Sequence, residues 1–80
     1  MPKSVFTARY KRFLDLLVEA RTAAEVSQVE LAARIGWQQT DISKVERGER
    51  RLDLIEFLAF AEALKIDAPA FVKRLQSGRK

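Results

Sequence analysis

The sequence predicts an all-α fold, a compact bundle of five short helices. Three observations carry that prediction. Apolar residues recur at three- and four-residue spacing, no run of alternating β-branched residues occurs, and the three glycines and two prolines fall at or between the apolar segments. Eighty residues make one domain, read over 1–80 with a basic N-terminal arm at 1–6 and a basic tail at 77–80. A chain of this size buries only about 60% of its unfolded surface, so a deep enclosed active site is not expected.

The first helix is expected over 7–24, with Phe6, Tyr10, Phe13, Leu14, Leu17 and Val18 forming one apolar stripe. Next, "SQVE" places Ser27 as N-cap and Glu30 three residues on, a reciprocal capping box that satisfies free amides at a helix start. The short second helix turns Leu31, Ala32 and Ile35 inward and ends at Gly36 in a left-handed conformation. A third helix is expected over 39–47, stopping at Gly48. Asp53 with Glu56 opens the fourth, through Leu54, Ile55, Phe57, Leu58, Ala61 and Leu64. So apolar a circumference predicts the central helix of the core. Asp67 caps a last helix through Ala70, Phe71, Val72 and Leu75 that ends near Gly78, with Pro69 in the first turn, where no intrahelical amide donor is needed.

Composition removes several classes of function. With no Cys and no His, the usual zinc, thiol-nucleophile and imidazole-base chemistries are absent, and no disulfide staples the fold. No catalytic residue, metal or cofactor is expected. Glu46 and Glu49 are carboxylates without an enclosed pocket to shift their pKa values, so an enzyme is not the reading. No apolar run approaches the ~18 residues that span a bilayer, and "MPKSVFTARYKR" lacks the apolar core of a signal peptide. A soluble cytoplasmic protein without membrane contact is expected.

The net charge of +4 is a weak pointer to a polyanionic partner. Its distribution says more. Residues 1–12 carry Lys3, Arg9, Lys11 and Arg12 with no acid, and residues 73–80 carry Lys73, Arg74, Arg79 and Lys80 with none. The middle holds seven basic residues against all eleven acids.

The stretch "GWQQTDISKVERGERR" then stands out for its polarity. On the third helix Ile42 and Val45 lie about 60° apart, while Gln39, Thr40, Ser43, Lys44 and Arg47 fall within an arc of about 140° on the other side. A tight turn, Gly36 to Gln38, sets this helix across the second and lets its N-terminal end project. A projecting helix about 10–12 Å across fits the ~12 Å major groove of B-DNA. Gln pairs bidentately with adenine N6 and N7, Lys reaches guanine O6 and N7, and the Thr methyl touches the thymine methyl.

Here the chain resembles a known family. "VSQVELAARIGWQQTDISKVERGERRLDLIEFLAFAEAL", residues 26–64, resembles the Cro/cI-type (XRE) helix-turn-helix regulators of phages and bacteria, through Ser27-Gln28, Leu31-Ala32, Gly36, Ile42-Ser43, Glu46-Arg47-Gly48 and Ala63-Leu64 held in register. The resemblance implies a lambda-repressor-like DNA-binding domain whose helix-turn-helix is formed by the second and third helices. By the family pattern Gln39, Thr40 and Lys44 meet base edges. Gln28 binds a phosphate and braces Gln39, while Ser43, Arg47, Arg50 and Arg51, with Gln38, lie at the phosphates. Arg21 and Glu46 are implied as a structural ion pair.

Three positions depart from the family. Gln38 stands where Ser, Thr or Asp usually caps the recognition helix, and Gln is a poor cap. Glu25 replaces a frequent Gly, which predicts a different turn geometry there. Trp37 is large for its site and is read as packing rather than touching DNA.

The function implied is a sequence-specific transcriptional regulator acting on double-stranded DNA. Its simplest form is a repressor bound as a homodimer to a pseudo-palindromic operator with half-sites about 34 Å apart. Phe71, Val72 and Leu75 are the candidate dimer surface, and the same three are equally able to close the monomer core. The alternative is an antitoxin or other protein-interaction partner that also represses its own operon.

Overall fold

A computed structural model describes residues 7–77 as five helices with no strand among them. The basic arm at 1–6, Phe6 of the first stripe, Gly78 and the tail beyond residue 77 lie outside the described residues.

Helix α1 (Ala8–Ala23) starts at Thr7, whose Oγ1 accepts from the Tyr10 N–H at 3.1 Å. It buries Tyr10, Leu14, Leu16 and Leu17. Leu16 was not in the expected stripe. Because α1 packs against two other helices at once, its buried arc is wider than a single seam.

Helix α2 (Gln28–Ile35) carries both halves of the predicted box, Ser27 N–H to Glu30 Oε1 at 3.3 Å and Glu30 N–H to Ser27 Oγ at 3.0 Å. Helix α3 (Gln39–Glu46) follows after the Gly36 turn, with Arg47 as its C-terminal cap. Helix α4 (Leu54–Leu64) opens on the reciprocal pair of Asp53 and Glu56, and α5 (Ala68–Ser77) on Asp67, whose Oδ1 accepts from the Ala70 N–H at 3.1 Å. The partners of α1 are α3 and α5, and α2 packs on α3 and α4.

The centre of the core is Leu17, Leu31, Ile42, Val45 and Phe60, each less than 2% exposed. An aromatic cluster joins α1, α4 and α5, with ring centroids 5.7 Å apart for Phe13 and Phe57, 5.8 Å for Phe13 and Phe71, and 5.0 Å for Phe57 and Phe71. Such tilted and edge-on pairs contribute about 0.5–1.5 kcal/mol each beyond their buried area.

The expectation that α4 is the central helix of the core holds for one of its faces only. Phe57, Phe60, Ala61 and Leu64 face the core, whereas Leu54, Ile55 and Leu58 are 67%, 72% and 39% exposed. In a bundle this small α4 has neighbours on one side only, and its outer apolar face is left in solvent.

Four helices end on a left-handed residue: Glu25 (φ 61°), Gly36 (φ 76°), Gly48 (φ 81°) and Lys65 (φ 58°). At Glu25 the chain makes the paired bonds of a Schellman motif, Val26 N–H to Arg21 O at 3.2 Å and Glu25 N–H to Thr22 O at 3.0 Å. The turn therefore keeps the geometry a glycine would give. The expected departure does not occur, and the strain falls on the backbone of Glu25 instead.

Candidate nucleic-acid interface

Ile42 and Val45 anchor α3 to the core with no solvent exposure, which fixes the opposite arc outward. There Gln39, Thr40, Lys44 and Arg47 are exposed and Ser43 is half-buried. The arc begins in one amide and two hydroxyls and ends with two cations.

The start of α3 lacks a side-chain cap at Gln38, as expected of a poor capping residue. Asp41, three residues on, instead accepts from the Gln38 N–H through Oδ2 at 3.1 Å. Its negative charge in the first turn also complements the helix dipole. The spacing was open to a sequence reading, because acid at the third helical position is the second half of the box seen at Ser27 and Glu30. Gln38 is left exposed beside the projecting end.

Behind the arc runs a chain of side chains. Arg21 donates through Nε to Glu46 Oε2 at 2.6 Å and through Nη2 to Glu46 Oε1 at 3.0 Å, and its Nη1 donates to the Val26 carbonyl at 2.9 Å. These two side chains are only 13% and 8% exposed. Gln28 Nε2 donates to the same Glu46 Oε1 at 2.8 Å, and Gln39 Nε2 donates to Gln28 Oε1 at 2.6 Å. Four residues from three helices thus form one connected line from the core to the exposed arc. The link from Gln28 to Glu46 is beyond the sequence reading, since no local spacing brings residues 28 and 46 together.

Arg47 bonds to Ser43 Oγ and forms a two-point pair with Glu49, Nε to Oε2 at 2.9 Å and Nη2 to Oε1 at 3.1 Å. That bond and the neighbouring charge hold the Glu49 carboxyl below its ordinary value and the Arg47 guanidinium above its own.

Arg50, expected on the phosphate backbone, is half-buried, with its guanidinium 4.2 Å from the centroid of the Trp37 ring and Nη2 donating to Glu56 Oε2 at 3.1 Å. A large indole at the turn and an acid in the first turn of α4 draw it inward. Trp37 is itself half-buried, edge-on to Phe60 with centroids 5.4 Å apart, and so packs as expected. Arg51 is exposed but also lies over a ring, 4.4 Å from the centroid of Tyr10.

Of the candidate dimer residues, Phe71 belongs to the core at 7% exposure, Val72 is 46% exposed, and Leu75 is half-buried. Val72 and Leu75 line a groove of about 410 Å³ with Tyr10, Phe13, Leu54 and Phe57.

Two helices joined by a three-residue turn, the second anchored on its apolar side and bare on its polar side, define a helix-turn-helix DNA-binding domain. The family model for the helix-turn-helix matches residues 17–71. An XRE-family like protein from Pseudomonas syringae pv. tomato str. DC3000, a solved structure, is similar with 48% identity and a TM-score of 0.86 over 91% of this chain and 89% of that one. No curated protein sequence matches. The chain belongs to the XRE-type helix-turn-helix family.

Proposed function

We propose that this protein is a sequence-specific repressor that binds double-stranded DNA as a homodimer on a pseudo-palindromic operator. The observation that carries the reading is the exposed arc of α3, whose first residue, Gln39, is held by Gln28 rather than left to solvent. In this reading Gln39, Thr40 and Lys44 meet base edges in the major groove. Gln28, Gln38, Ser43, Arg47 and Arg51 take the phosphates, while Arg50 is engaged by Trp37 and Glu56.

A single module of this size covers little DNA, which favours pairing across a two-fold axis. Val72 and Leu75, with the exposed Leu54 and Ile55, supply apolar surface for a second copy.

Selection of binding sites from random duplex DNA at about 150 mM salt, where nonspecific attraction is weakened, is the test. Enrichment of an inverted repeat supports a dimeric, base-reading protein. Salt-sensitive binding with no enriched sequence counts against it. The exposed apolar face of α4 favours a protein partner as the second reading, and that result would direct the search there.

A further inference from the structure

We infer that Glu46, which is linked to Gln39 through Gln28, is a positioning residue that sets which base Gln39 prefers. The inference rests on the proposal that Gln39 reads a base.

An amide side chain has one accepting end and one donating end, and two neighbouring amides can bond with either polarity. In isolation the pair Gln28 and Gln39 has no fixed direction. Glu46 removes the choice. A carboxylate only accepts, so Gln28 must turn its Nε2 toward Glu46, as it does at 2.8 Å. Its Oε1 is then directed at Gln39, which must answer with an N–H, as it does at 2.6 Å. Arg21 holds the carboxylate in place with two further bonds, and the pair is too little exposed to reorient freely.

The direction of this line decides what Gln39 has left to offer. With one N–H given to Gln28, it retains the other N–H and its Oε1. That donor and acceptor together match adenine, which presents N7 and N6–H₂ in the major groove. In the reverse polarity Gln39 would spend its oxygen on Gln28 and present two N–H groups outward. Two donors match guanine, which presents N7 and O6.

Glu46→Gln removes the constraint. Arg21 donates to both carboxylate oxygens of Glu46, and Gln28 shares Oε1 with it, so an amide in that place gives up one Arg21 bond in either orientation and can offer Gln28 its oxygen or its nitrogen. The line then loses its fixed direction, and both polarities become open to Gln39. Gln28→Leu interrupts the line while leaving the Arg21 and Glu46 pair intact.

The experiment selects sites from random duplex DNA at about 150 mM salt with the full chain. It uses the unaltered protein, Gln39→Ala to locate the base pair that Gln39 reads, Glu46→Gln and Gln28→Leu, each checked for folding by circular dichroism. At that base pair the ratio of adenine to guanine is expected to fall toward parity in Glu46→Gln, by up to about tenfold, the order of one bidentate contact, with the other positions unchanged. In Gln28→Leu it is expected to move toward parity. A loss of affinity with unchanged base preference in both folded variants would mean that Glu46 only supports the fold, and the inference would be overturned. Should Glu46→Gln fail to fold, Gln28→Leu decides alone: an unchanged ratio overturns the inference, and movement toward parity supports it. If Gln39→Ala alters no base preference at all, the reading beneath it fails first, and this inference with it.

Discussion

Arg47 and Glu49 face one another across two parallel bonds at the end of α3, on the side that would meet DNA. A phosphate approaching Arg47 must compete with a carboxylate already in place. Glu49→Gln is therefore expected to tighten binding to cognate and random DNA alike, more at low salt than at high, by removing both the competitor and a repelling charge. Titration of labelled duplexes at two salt concentrations checks this. Unchanged affinity on both duplexes would show that Arg47 stays with other partners. The pair also has a pH signature. Glu49 is depressed from 4.5, so its contribution is whole above that value and is lost as pH falls through the lower folded value.

Glu46→Ala is expected to destabilise the fold by about 3–5 kcal/mol, because it strands the little-exposed Arg21 guanidinium. Chemical denaturation measures it. A midpoint equal to that of the unaltered protein would place the pair outside the architecture.

Arg50→Ala should lower stability by about 1–2 kcal/mol through loss of the contact with Trp37 and the bond to Glu56. It should leave the salt dependence of DNA binding unchanged. A salt slope reduced by about 1 would return Arg50 to the phosphates.

Glu25→Gly is expected to raise stability by up to about 1 kcal/mol, since relief of the left-handed strain exceeds the extra freedom glycine has when unfolded. Thermal melting would then rise by a few degrees. A lower melting temperature would mean that the Glu25 side chain contributes more than its backbone costs.

Gln39→Ala and Lys44→Ala should each cost about 1–3 kcal/mol on the preferred site and relax base choice at one position. Equal losses on preferred and random duplexes would assign the residue to positioning instead.

The helices were legible because their boundaries are written locally. Ser27 with Glu30, Asp53 with Glu56, and Gly36 and Gly48 mark starts and stops within a few residues, and all four appear in the structure as read. The left-handed conformations at Glu25 and Lys65 were not legible, because neither side chain favours them and the surrounding packing imposes them. Tertiary partners decided the rest. Leu54, Ile55 and Leu58 are as apolar as Phe57, and only the arrangement of neighbouring helices assigns one set to solvent and the other to the core. Arg50 sits beside Arg51 in the chain, yet Trp37 and Glu56 give it a role that no reading of "ERR" contains.

Trp37 is the only tryptophan in the chain. It stands at the turn between α2 and α3, edge-on to the core ring of Phe60 and capped on its face by Arg50. The molecule therefore carries a built-in optical reporter at the junction of its two functional helices. Its emission shifts to the red when the turn opens to water, so loosening of that junction and binding beside it can be followed without attaching a dye.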